Sequence, residues 1–174
     1  MKWNVGTKIG AGFGLTLLIF VFVGAVSYRS TTQLIEASDL RKHTNDVLNR
    51  IAEMETLAAD VQNGVRGYAI TGEETYIEPY QTAMGRTDEV IREIRKLTAD
   101  NARQQQRLDA LEAPVKSRVD LARETVDAIR TKGPSAGIQL IKTGKGRTLT
   151  NEIRRVLGQM ESEEQDVLKQ RTEA

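Results

Sequence analysis

VLNRIAEMETLAADVQNGVRGY, residues 47–68, decides the fold. Its apolar positions Val47, Ile51, Met54, Ala58, Val61, Val65 and Tyr68 alternate at spacings of four and three, which lays a single seam along an α-helix. Such a seam is covered by other helices carrying seams of their own, and three follow. The second runs through Tyr76, Tyr80, Ala83, Thr87, Val90, Ile94 and Leu97. The third runs through Leu108, Leu111, Val115, Ala122, Val126 and Ile129, and the fourth through Leu149, Ile153, Val156, Met160, Val167 and Leu168. Aromatic residues are only 5% of the chain, so the core is aliphatic, as helix packing prefers. Short connections force neighbours to run antiparallel, which predicts an all-α, up-down-up-down four-helix bundle.

Punctuation between the seams fits that plan. Gly72 is placed to be the C′ residue of the first helix, and two overlapping capping boxes, Thr71 with Glu74 and Thr75 with Glu78, are expected to start the second. Pro79 falls in its first turn, where proline is tolerated. Thr98-Ala99-Asp100 ends that helix, and Asn101 with Gln104 caps the third, which Pro114 is expected to kink and Lys132-Gly133-Pro134 to end. Ser135 is expected to cap a short helix through Thr143, with Gly144-Lys145-Gly146 breaking the chain before the last helix.

Upstream of residue 29 the character changes. Ile9 to Tyr28 is a run of 20 uncharged residues, which as a helix spans about 30 Å, the thickness of a bilayer core. The expected organisation is a tail at 1–8, a transmembrane helix at 9–28 and the bundle at 29–174, with the membrane helix continuous with the first bundle helix. The competing reading is a cleaved signal peptide, with Lys2 and Lys8 as its basic start and Val23-Gly24-Ala25 as its cleavage site; its product would be a released periplasmic adaptor or scaffold. Lys2 and Lys8 on one side are balanced by Arg29, Arg41 and Lys42 on the other, so local charge leaves orientation open. The expectation adopted is a short tail inside and the bundle on the periplasmic or extracellular side of a bacterial inner membrane. Gly6, Gly10 and Gly14 repeat every four residues and form a candidate transmembrane dimer face.

The chemistry-bearing residues exclude more than they offer. Lys2 and Lys8 are the only charges before Arg29; taking them from the 25 basic residues leaves 23 against 24 acidic, with no nucleic-acid footprint. There is no cysteine, and the single histidine, His43, lies on a polar stretch that reads as solvated surface. That removes thiol chemistry, two-histidine zinc sites and ferritin-type di-iron sites, so no metal, cofactor or catalytic residue is expected. Gly144-Lys145-Gly146-Arg147-Thr148 lacks the spacing of a phosphate loop, though free N–H groups beside Lys145 and Arg147 can hold a small anion. Glu161, Glu163, Glu164 and Asp166 read as a solvated helix face.

Asp60-Val-Gln-Asn-Gly64-Val-Arg66-Gly67-Tyr68-Ala-Ile-Thr71-Gly72, followed by Tyr76-Ile-Glu-Pro79-Tyr80, resembles the third class of CHASE domain. Gly144-Lys-Gly146-Arg147, Ile153-Arg154, Glu164, Val167-Leu168 and Arg171 agree in order, so the resemblance covers roughly residues 35–172. The start, Gly6 to Gly14, is similar to the first membrane helix of chemotaxis receptors and sensor kinases. The resemblance implies an extracellular sensory module, set between two membrane helices of a receptor, that signals to a kinase, cyclase or methyl-accepting output module; a homodimer is expected. A second span and an output module are therefore expected beyond Ala174, and the stimulus or small ligand is unspecified.

Among the family positions, Gly64 and Gly67 suit close helix approach, and Tyr68, Tyr76 and Tyr80 an aromatic patch. Asp60 with Arg66, and Glu164 with Arg171, suit structural ion pairs. The candidates for a ligand are Arg66 with the tyrosines, or Lys145 with Arg147, because each set joins charge to a receptive surface.

Overall fold

The computed structural model describes residues 5–173, and the side chains of all of these except residues 5, 7, 8, 10, 11 and 171–173. Among the described residues five α-helices follow one another: α1 (Val5–Thr71), α2 (Ile77–Leu97), α3 (Ala102–Lys132), α4 (Pro134–Lys142) and α5 (Lys145–Glu173), with a 3₁₀ turn, Glu74–Tyr76, before α2. The chain divides into two compact units, Met1–Lys42 and His43–Ala174.

In the first unit α1 is apolar and uncovered. An 18-residue stretch has a mean hydropathy of 1.7 with none of it buried, and Phe13, Phe20 and Phe22 stand 69–74% exposed. It is long and apolar enough to cross a membrane.

The second unit is the bundle. All seven seam residues from Val47 to Tyr68 are buried, as are Tyr80, Ala83, Thr87, Val90 and Ile94 of α2 and the whole predicted α3 seam. Hydrogen bonds fix the directions. Gln104 near the start of α3 meets Glu164 near the end of α5, and Arg118 midway along α3 meets Thr150 near the start of α5, so these helices run antiparallel. The fourth column has two parts, α4 packing back along the end of α3 and α5 continuing down. At that contact a Cβ on Gly137 would come within 2.2 Å of Ile129 Cγ1, so only glycine lets α4 lie so close.

The helix ends follow glycine more than the expected caps. Gly72, Gly133 and Gly144 adopt φ of +72°, +86° and +75°, a conformation disfavoured for residues with a Cβ, and each sits where a helix ends. Asn101 caps α3 as its sequence predicts, its side chain accepting from the N–H groups of Arg103 and Gln104. Both capping boxes are corrected. Glu73 and Tyr76 hold the cap positions of the 3₁₀ turn and α2 without side-chain bonds. Glu74 is drawn away, accepting from the Tyr68 hydroxyl at 3.1 Å and from Arg130 at 2.9 Å. Ser135 is no cap either, because Pro134 already occupies the first position of α4 behind Gly133. Pro114 is accommodated within an uninterrupted α3.

Candidate functional site

The break at Gly144 starts α5 in the wall of the bundle, partway along α3, instead of at its end. Gly146 and Arg147 of the first turn therefore keep backbone N–H groups with no partner in the chain; Lys145 N–H donates to Thr143 Oγ1 at 3.4 Å. No acidic residue occupies this turn, so the positive end of the helix dipole is uncompensated.

Facing it from α3 is Arg118, only 5% exposed. Its one hydrogen bond is from Nε to Thr150 Oγ1 at 3.3 Å, and that hydroxyl donates onward to Gly146 O at 2.9 Å. It has no carboxylate partner. Burial, with the like charge of Arg66 added, pulls its pKa below the ordinary guanidinium value. An arginine stays charged nonetheless. Arg118 lines a cavity of about 30 Å³ together with Gln62 and Arg66 of α1, Thr125 of α3, and Gly146 and Arg147 of α5. Its ionisable lining is three arginines, and none of them makes an ion pair.

A second polar cluster closes the bundle at its His43 end. Glu163 is buried and pairs with Arg103 at 2.7 Å and Arg107 at 3.4 Å, while buried Glu164 accepts from Gln104 Nε2 at 2.8 Å. Gln104 Nε2 also donates to Met160 O, clamping α3 to α5. His43 and Thr44 of α1 share a cavity with Glu163, Glu164 and Val167 of α5, so the descending end of α5 lies beside the start of the bundle part of α1. Among the described residues, no group of three or more His, Asp or Glu side chains is arranged to hold a metal ion.

The CHASE3 domain family model matches residues 37–174. The chain belongs to the CHASE3 domain family. A solved structure supports the architecture: the chain is similar to the sensor domain of the Rhodopseudomonas palustris histidine kinase HK9 at 23% identity and a TM-score of 0.67, covering 72% of this chain and 98% of that one. Comparison with curated proteins gave no match. Residues 37–174 are thus a sensory domain of receptor type.

Within this CHASE3 domain the sequence candidates separate into two groups. Arg66 and Arg147 come together at the cavity, whereas the tyrosines do not join them. Tyr68 is buried, its hydroxyl on Glu74 and its ring under Arg130 at 5.9 Å. A Cβ on Gly67 would come within 2.1 Å of Tyr76 Cδ1, and one on Gly64 within 2.9 Å of Tyr80 Cβ, so these tyrosines hold α1 against the 3₁₀ turn and α2. Asp60 and Arg66 form no pair with each other, and exposed Lys145 stands at the start of α5. The expected solvated face on α5 is corrected at Glu163 and Glu164, which point into the bundle. The side chain of Arg171, and with it the expected pair with Glu164, and the surroundings of Gly10 lie outside what the structure describes. Gly6 and Gly14 have open space around them. Arg118 escaped the sequence reading, although it sits three residues after Val115 and four before Ala122, on the seam itself.

Proposed function

We propose that this CHASE3 domain is the extracytoplasmic, membrane-anchored sensory part of a homodimeric receptor, and that a stimulus in the bundle reaches an output module beyond residue 174 as a displacement of α5 relative to α1. The observation that carries the reading is the meeting of α5 with α1 at the His43 end, where both helices line one cavity. Energy that repositions α5 against α1 has a direct exit along the chain. The uncovered apolar stretch of α1 supports an anchor, and the similar sensor domain, which is that of a histidine kinase, favours a kinase as the output. Gly6, Gly10 and Gly14 are proposed as the membrane dimer face.

Cysteine pairs introduced between positions 43–47 and 163–167 of the full receptor provide the test. Oxidation is expected to freeze output at one level, and reduction to restore its response. Output that follows the stimulus equally well in cross-linked and reduced receptor overturns the mechanism. N-terminal mass analysis of the membrane fraction tests the anchor, which requires the peptide spanning residues 9–28 to remain attached.

A further inference from the structure

An arginine that is merely structural and buried in a helical core has a carboxylate beside it, because an isolated buried charge is too costly to keep. Arg118 breaks that rule, and everything around it makes the departure worse. Arg66 and Arg147 line the same cavity, and the α5 dipole presents its positive end there with no acid in its first turn. Two backbone N–H groups in that turn lack acceptors. A leucine or methionine would satisfy the seam at position 118 without this cost. The arrangement lacks one component, a negative charge.

We infer that the cavity at the α4–α5 break binds a small, multiply charged oxyanion of the phosphate or sulfate kind, with Arg118 as its inner contact, the Gly146 and Arg147 N–H groups as backbone donors, and Arg66 and Arg147 at the mouth. The cavity is small, about 30 Å³, and opens past the exposed Arg66 and Arg147, which leaves no room for an extended anion. Helix N-termini and guanidinium groups both bind such anions, and here they converge from three helices. The occupant would draw α1, α3 and α5 onto one centre, which couples this site to the α5 displacement proposed above. That the anion is the receptor's stimulus rests on the sensory reading; that it binds does not.

The experiment follows thermal unfolding of the full chain in detergent or nanodiscs while sodium phosphate or sulfate replaces sodium chloride at constant ionic strength. A saturable rise in Tm of roughly 5–10 °C is expected at about a hundredfold excess over Kd. Arg118→Gln should abolish the rise while leaving the anion-free Tm equal or higher. Gly146→Ala should also abolish it, since the added Cβ meets Leu121 Cδ2 at 3.7 Å and Arg118 Cζ at 3.9 Å, ordinary contacts that fill the site without a clash. Should either variant fail to fold, Arg147→Gln at the exposed mouth should still lower phosphate affinity about fivefold by calorimetry. Equal Tm in phosphate and chloride overturns the inference, and so does a rise that persists in Arg118→Gln, which marks general salting-out. Succinate binding more tightly than either inorganic anion overturns the compact-oxyanion assignment. Output that ignores phosphate despite a saturable shift in Tm retains the site and counts against its sensory role.

Discussion

Two arginines on neighbouring helices show opposite uses of one side chain. Arg86 of α2 lies on the α1–α2 face, bonded to Glu53 at 2.8 Å and Glu93 at 3.1 Å, with Glu89 adjacent and Arg50 sharing the same acids. Its pKa is raised, first by the hydrogen bond it donates to Glu53. Arg118 of α3 is buried, bonded only to a hydroxyl, and its pKa is lowered. The surface arginine is satisfied and contributes little, since solvated pairs are screened and gain little over hydration. The buried one is a standing cost to the empty fold, and a cost retained at a seam position is evidence of a task other than stability.

The contrast is sharpest at Arg118 itself. Arg118→Met should stabilise the anion-free protein by about 1–4 kcal/mol, measured as a higher urea midpoint at unchanged m. A loss of stability instead would make Arg118 a structural contact and end the comparison. Glu163 is the buried charge that does have partners, so Glu163→Ala should cost about 1–3 kcal/mol in the same assay by stranding Arg107. Glu53→Gln on the solvated network should cost less than about 1 kcal/mol, and the difference should shrink further in high salt.

The smallest effect is a pH dependence. The hydrogen bond from Arg86 leads in holding the Glu53 carboxyl below its ordinary value of 4.5, with Arg50 adding to it. A lowered carboxylate contributes stability that is complete above the unfolded value and lost as pH falls through the folded one. Tm should therefore fall less steeply below pH 4.5 in Glu53→Gln than in the parent. Parallel acid limbs would show that Glu53 adds nothing to this face.

The bundle was legible because its seams obey one period over four helices and because glycine marks each turn. The errors are local competitions. Glu74 was free to cap until the fold brought the Tyr68 hydroxyl and Arg130 to it, and those contacts are invisible at short range in the sequence. The site was half legible. Arg66 and Arg147 stand out beside glycines in family motifs, yet the apolar positions of the third seam leave a gap from Val115 to Ala122, and Arg118 fills that gap in register. Gln104, four before Leu108, and Glu163 and Glu164, three and four after Met160, follow the same rule. Their polarity suggested solvent, but the periodicity of the apolar neighbours decides which way a helical side chain faces.

The glycine at 144 also divides the fourth column into parts with different freedom to change over evolution. α5, with 29 residues and a length of about 43 Å, carries the clamp to α3 and the descent to the His43 end. α4, with nine residues, touches α5 through the Thr143–Gly144 joint and rests on the upper turns of α3. Sequence drift in that upper cap can reshape what approaches the cavity without altering the register of the long helix beneath it.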